Sequence, residues 1–462
     1  MAFKYQAGRR EFTGKGCEGL MFGLNETMIT AIREITEELY PEMVAFGQKL
    51  VQTPSISGSE KMLADLDLAE MRKLGYDDVF RDSHGNIVGL VRGTEPGPTI
   101  MYNSHMDHVS PGDVANWQGY DPYGGQIDVC RVDTQDKQPD EAECIHGRGA
   151  SDVKCGEAVQ IYTGGLLLRL REKGFPIKGT FMFAGVVQEE PAEMVGMLHL
   201  VDKTLPEKGL TYDAMVSSEA TSLKIYCGHR GRVEMLITVY GRTSHGSAPW
   251  LGINAIYKAI PLITRIKDEL YPSLPTDPDL GQASVSLNII ECSPGALSIV
   301  PDKCLLSLDR RTLPGETAAS AIAQIQAIID DLAAQDPEFK ADVVVKSAVE
   351  TSYTGVTYEV AKDMSPWKIS KEHGFVKAAA EALEAVGQTV NYGYWDFGTD
   401  ASKTCGIDRK PTIGYSPMQE QYAHTPYDKC RNDFMKTALV GNTAIYLNTS
   451  LQGPEAFAKV EW

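Results

Sequence analysis

The stretch Pro98-Thr-Ile-Met-Tyr-Asn-Ser-His-Met-Asp107 sets the reading of the whole chain. Its apolar residues read as a buried strand, and the two-residue period of a strand sends His105 and Asp107 to the same side, where Asp107 can orient the imidazole. Two further apolar runs end in the same manner. Gly179-Thr-Phe-Met-Phe-Ala-Gly-Val-Val-Gln188 leads directly into Glu189-Glu190, and Asp213-Ala-Met-Val-Ser-Ser218 into Glu219. In open α/β sheets ligands bind beyond the carboxyl ends of the strands. Three such strands ending in imidazole or carboxylate therefore point to one shared site.

With Asp152 and His424 the set holds two histidines and several carboxylates, the residue types that a pair of borderline divalent ions takes as ligands. Neighbouring ions about 3.5–4 Å apart need one group that touches both, and they lower the pKa of a shared water from about 15.7 towards ~7. A carboxylate that is not itself a ligand must then take the proton. Glu189, beside Glu190, is placed for that role.

Working outward, helical and strand patterns alternate as in α/β proteins. Residues 26–52 read as a first helix and 59–74 as a second, with Ser59 as N-cap and Gly75 just past its end. Residues 156–173 read as a third, closed by Gly174. The glycine-rich, basic residues 1–24 read as an N-terminal extension. From Arg232 the pattern becomes strand (232–240), helix (253–270), strands (283–290 and 303–308), helix (317–334) and strand (342–346). This is the order of an α+β ferredoxin-like unit. None of the proposed metal ligands falls inside it, so it reads as a domain at 229–347 inserted between catalytic segments 25–228 and 348–462. The expected fold is thus an α/β catalytic domain with a mixed sheet, interrupted by that insert.

The motifs resemble those of the M20 family of metallopeptidases and amidohydrolases, which includes carboxypeptidase-like, aminoacylase-like and succinyl-diaminopimelate desuccinylase-like enzymes, with the strongest likeness to its YgeY-type subgroup. Seven segments in family order carry the resemblance: His105-Met-Asp-His-Val, Gly147-Arg-Gly-Ala-Ser-Asp152-Val-Lys, Gln188-Glu-Glu, Ser218-Glu-Ala-Thr, Gly241-Arg-Thr-Ser-His245-Gly-Ser-Ala-Pro, Asp309-Arg-Arg-Thr-Leu-Pro-Gly-Glu and Ala423-His-Thr-Pro. The resemblance implies that His105, Asp152 and Glu219 hold one metal and that Asp152, Glu190 and His424 hold the other, with Asp152 as the bridge. It also implies a cis peptide at Asp152-Val153 and a zinc-peptidase-like catalytic domain whose insert serves as a dimerisation or lid domain. His245 is then expected to polarise the scissile carbonyl, reaching the site of a partner subunit. Arg311, by the family's Asp-x-Arg spacing, is expected to bind a substrate carboxylate with its planar fork.

Composition agrees. The 462 residues carry 44 Lys plus Arg against 62 Asp plus Glu, a net charge of -18 that repels phosphate backbones and anionic membranes. Nine cysteines without a Cys-x-x-Cys pair suggest reduced thiols in a cytoplasmic protein. The expected enzyme is a homodimer or higher homo-oligomer with two divalent ions, Zn²⁺ first and Mn²⁺ or Co²⁺ as alternatives. It would cleave a C–N amide-type bond of a dipeptide or N-acyl amino acid, with an N-carbamoyl (ureido) substrate as a second reading and a non-catalytic metal-binding protein as a third. The remaining histidines read as structural or solvated, His108 as narrowing the pocket rather than binding metal, and Asp128, Asp133 and the run from Asp136 to Glu143 as a solvated hairpin rather than a metal site.

Overall fold

The computed structural model describes residues 24–117, 119–133, 139–191 and 194–462. All but the last residue of the expected N-terminal extension lies outside them. The first helix, Glu26–Val51, starts at Asn25, whose side chain accepts from the Met28 amide at 2.9 Å. It buries Ile32, Ile35, Met43, Phe46 and Leu50 and packs on the helix Cys155–Glu172. The second helix, Lys61–Leu74, corrects the expected cap. Glu60 rather than Ser59 holds the N-cap position, and its carboxylate turns back to the Gly58 amide at 2.8 Å. Gly75 ends that helix at φ 91°, the left-handed conformation that favours glycine.

The catalytic sheet is mixed. Its strands run in the order Asp78–Arg81, Ile87–Arg92, Lys178–Val186, Glu95–His105, Ala214–Ser217, Thr412–Gly414, Ile225–His229 and Trp367–Lys368. The four strands from Lys178–Val186 to Thr412–Gly414 are mutually parallel, whereas the flanking pairs are antiparallel. Parallel strands covered on both faces read as continuous apolar runs, which is why Ile100, Met101, Tyr102, Phe181, Met182 and Phe183 are all buried. Their common direction brings the residues after His105, Val186 and Ser217 to one edge of the sheet.

The insert is a second layered unit. Strands Gly231–Tyr240, Ser284–Ser293, Lys303–Thr312 and Lys340–Val345 form one antiparallel sheet with Gly231–Tyr240 between the last two. Val233, Met235, Ile237 and Val239 alternate into its core, against helices Ala255–Arg265 and Ala318–Gln335. Thr317 caps the second of these in a reciprocal pair with Ser320. The regular part of the first ends at Arg265, short of the expected Leu270, and continues as a wider turn over Ile266–Leu270. The two hydrophobic cores are separate, and Tyr394 packs against both.

Candidate active site

Each site residue owes its place to a strand end or to a clamped loop. His105 closes its strand, Glu189 and Glu190 follow Val186 by three and four positions, and Glu219 follows Ser217 by two. Asp152 sits in a tight loop between the hairpin strand Pro139–His146 and the helix Cys155–Glu172, and its peptide bond to Val153 is cis, as the resemblance implies. That loop is pinned by Asp428, whose carboxylate is reached by Arg148 Nη1 (2.9 Å), the Gly149 and Ser151 amides (both 2.8 Å) and Ser151 Oγ (2.6 Å). His424 has φ 59°, an uncommon backbone state for histidine, which aims its ring at Asp152.

The side chains converge in a definite pattern. His105 Nε2 is 3.1 Å from Asp152 Oδ1 and 3.6 Å from Glu219 Oε1. His424 Nε2 is 2.9 Å from Asp152 Oδ2 and 3.1 Å from Glu190 Oε2. Glu189 brings a carboxylate oxygen within 4.8 Å of ligand atoms of His105 and Glu219. Nδ1 of His105 lies 2.9 Å from the Asp107 carbonyl oxygen. A carbonyl only accepts, so Nδ1 carries a proton and Nε2 is the nitrogen through which the ring would meet a metal. Asp107 therefore orients the ring chiefly through its backbone. Its carboxylate is 3.6 Å from Nδ1 and accepts instead from the Glu189 amide (3.0 Å), the Glu190 amide (3.1 Å) and Ser57 Oγ (2.6 Å).

The electrostatics show a site short of positive charge. Burial, reinforced by Glu219, pushes the Glu189 carboxyl well above its ordinary value, and burial does the same to Glu219. Hydrogen bonds to Asp152 and Glu190 lift His424 to about 10. His105 is raised well above its ordinary value even though burial opposes this, because Asp107 and Asp152 outweigh it. Two Nε2 atoms set against carboxylate oxygens at about 3 Å, among this many buried acids, fit a dinuclear cation site. The imidazole and carboxylate donor set suits borderline divalent ions.

Asp152, Glu189, Glu190, Glu219 and His424 line a cavity of about 320 Å³. Arg311 and Arg232 reach it from the insert, while Met364, Phe397, Glu420 and Ala423 complete its walls. Arg311 is held by Asp309 at 2.8 and 3.2 Å. Arg310 is buried, pairs with Glu316 and takes no part in the lining, whereas Arg311, the arginine of the Asp-x-Arg spacing, does. His245 is not brought to this cavity. It is exposed, in a turn where Nδ1 accepts from the Ser247 amide at 3.1 Å. His108 does not line the cavity either. Its Nε2 accepts from the Ser55 amide and its Nδ1 bonds the Val109 carbonyl, so both nitrogens serve structure.

Two acids escaped the sequence reading. Asp428 has no motif of its own and is recognisable only by what it clamps. Asp400, at the end of the segment Gly398-Thr-Asp400, is 3% exposed, and burial pushes its carboxyl to about 7. That segment is tied down by the Thr399 amide, which donates to His229 Nε2 at 3.1 Å.

Known proteins match both halves of this architecture. Residues 227–337 fit the peptidase dimerisation domain model of the M20 group. The uncharacterized protein YgeY of Escherichia coli strain K12 is 31% identical over 420 residues, spanning 90% of this chain and 96% of its own. The chain belongs to the M20 peptidase family. Among solved structures, the M20 chain resembles aminopeptidase PepT from Bacillus cereus, at 22% identity and a TM-score of 0.64 over 89% of this chain and 98% of that one. It also resembles the Bacillus subtilis YXEP protein, described as a dinuclear metal binding peptidase of the family, at 14% identity and a TM-score of 0.61 over 89% and 98% of the two chains. At these identities the likeness concerns the fold. Family membership makes the M20 chain a hydrolytic enzyme.

Proposed function

We propose that the protein hydrolyses a C–N amide bond in a small carboxylate-bearing substrate, a dipeptide or an N-acyl amino acid. The observation that carries this reading is the placement of Asp152 between two imidazoles, with Glu189 beside them and the Arg311 guanidinium on the wall of the same cavity. His105, Asp152 and Glu219 would hold one divalent ion and Asp152, Glu190 and His424 the other, Zn²⁺ being the ion this donor set suits best. When bound, the ions supply Lewis acidity and make a water molecule acidic near neutral pH.

The protein's own groups do the rest. Glu189 accepts the proton of the attacking water and returns it to the leaving nitrogen; its burial favours proton uptake, as a base working near neutral pH requires. Asp107 fixes the amides of Glu189 and Glu190, and so the direction of both carboxylates. Arg311 pairs with the substrate carboxylate, and the walls of the cavity limit the substrate to small molecules.

His245 would serve a neighbouring subunit, because it lies on the insert and away from its own chain's cavity. A homodimer is consistent with the apolar side chains exposed on the insert, among them Ile256, Tyr257, Ile260, Ile289 and Ile290. A cytoplasmic setting accords with eight free cysteines among the described residues; Cys292 Sγ donates to Cys304 Sγ at 3.8 Å without a disulfide. No helix among those residues is long and apolar enough to cross a membrane.

The test is Glu189→Gln assayed on a panel of dipeptides and N-acyl amino acids. General acid-base catalysis is typically worth about 10²–10⁴-fold, so activity should fall by at least that much while the metal content of the purified protein stays unchanged. Near-full turnover by the metal-loaded variant removes Glu189 from the mechanism. Ammonia release from ureido acids, with no amine from the panel, would replace the substrate class.

A further inference from the structure

Outside the catalytic cavity, the hairpin Ile127–Asp133 and Pro139–His146 gathers a second group of donors. Its register pairs Asp128 with Cys144 and Cys130 with Ala142, and the His146 amide donates to the Gln126 carbonyl. Asp128, Cys130 and His146 therefore share one face of the hairpin. One ligand atom from each lies within 4.8 Å of the other two. Zinc bond lengths of about 2.0–2.3 Å in a tetrahedron set ligand-to-ligand edges of about 3.3–3.8 Å, so modest side-chain adjustment closes the set around one ion.

The imidazole is the second and independent sign of a ligand. His146 is 5% exposed, and its Nε2 stands 2.8 Å from Asp128 Oδ1, yet neither atom makes a hydrogen bond of usable geometry. The surroundings hold both groups ready. The Tyr120 ring stacks on His146 with centroids 4.2 Å apart, and its hydroxyl donates to Asp128 Oδ2 at 3.1 Å. Gln126 Nε2 donates to the same oxygen at 3.0 Å. Oδ2 is thus engaged by outer donors while Oδ1 is turned towards His146 Nε2, the arrangement by which outer partners aim a metal-binding carboxylate. A cavity of about 240 Å³ beside Cys130 and His146 has room for a water as fourth ligand. Lys429 also lines it, but its Nζ donates to the Arg131 carbonyl at 2.9 Å, and a thiolate with a carboxylate cancels the charge of a divalent ion.

We propose that Asp128, Cys130 and His146 form a mononuclear site for a thiophilic divalent ion such as Zn²⁺, distinct from the catalytic pair. Its position gives it a structural effect. His146 pairs in register with Lys429, the residue after the Asp428 clamp, and six positions after His146 comes Asp152. An ion here fastens the hairpin at the root of the segment that carries the catalytic aspartate.

Cobalt substitution of the full chain tests the site without reference to turnover. The catalytic donors are nitrogen and oxygen only, so a thiolate-to-Co²⁺ charge-transfer band in the near ultraviolet can come only from a cysteine-containing site. Metal-free protein titrated with Co²⁺ should develop that band with about one equivalent per chain. The band should be lost in Cys130→Ser and retained in His424→Ala, whose change lies in the catalytic set. Absence of the band at saturating Co²⁺, or its survival in Cys130→Ser, overturns the proposal. A measurement on the unaltered protein covers the case of a variant that fails to fold. Zn²⁺ should slow alkylation of Cys130 by tenfold or more, read by peptide mass, and a chelator should reverse the effect; equal labelling with and without Zn²⁺ overturns the proposal as well.

Discussion

Asp152 and His424 are joined by a single contact of 2.9 Å, from Oδ2 to Nε2, while the other carboxylate oxygen of Asp152 faces His105 at 3.1 Å. One short side chain thus stands between two imidazoles carried by segments far apart in sequence. A carboxylate with each oxygen turned to a different ligand group is what a shared ion-binding residue requires.

Asp152→Ala and His424→Ala should consequently differ in metal content. Loss of the shared carboxylate should empty both positions, whereas loss of His424 should leave the one served by His105 and Glu219. Elemental analysis after gel filtration reads the difference, and equal metal content in the two variants would remove Asp152 from its bridging role.

Asp107→Asn should weaken metal binding without removing any ligand. The side chain accepts from the Glu189 and Glu190 amides and from Ser57, and an amide can match only part of that. Changes to groups that orient ligands typically cost about 10–100-fold in metal affinity or activity. Competition against a chromogenic chelator measures the affinity.

Arg311→Ala should raise KM for carboxylate-bearing substrates and leave metal content alone. Hydrogen bonds to charged groups are worth about 1.5–3 kcal/mol, which corresponds to a fall in kcat/KM of roughly 10–100-fold. The effect should shrink for a substrate whose carboxylate is amidated. Arg310→Ala should instead lower stability, because that guanidinium is buried against Glu316 and away from the cavity.

His229 should make the protein acid-sensitive. Burial, helped by the nearby Arg311 charge, depresses its pKa from 6.5 to about 4, and its ring is held by the Thr399 amide and the Arg230 carbonyl. The unfolded chain binds the proton more readily, so this contribution to stability is intact above pH 6.5 and is lost progressively as pH falls towards about 4. The shift corresponds to about 3 kcal/mol. Urea unfolding at several pH values should show the loss, and His229→Gln should flatten the dependence over that interval.

Much of this was legible in the residues because strands announce themselves. The apolar runs before His105, Glu189 and Glu219 fixed their own burial, and parallel strands share the edge at which they end. Arg311 was singled out from Arg310 only by the family's Asp-x-Arg spacing; strand alternation sends the two neighbours to opposite faces but does not say which one meets the cavity. The cap at Glu60 was not legible, since Ser59 is the better cap by residue type and only the return of the Glu60 carboxylate to Gly58 decides between them.

The sequence by itself determined the α/β class, the inserted unit and the chemical kinds of residue at the site, because periodicity and residue type are local properties. Only the tertiary structure decided which oxygen of Asp152 meets which histidine, that the Asp107 carboxylate serves the two glutamate amides more closely than the imidazole, that Asp428 clamps the Asp152 loop, and that Asp128, Cys130 and His146 come together on one hairpin face. These are contacts between segments distant in the chain or across a strand register. Their geometry follows from how the packed elements fix one another's position, which no local pattern encodes.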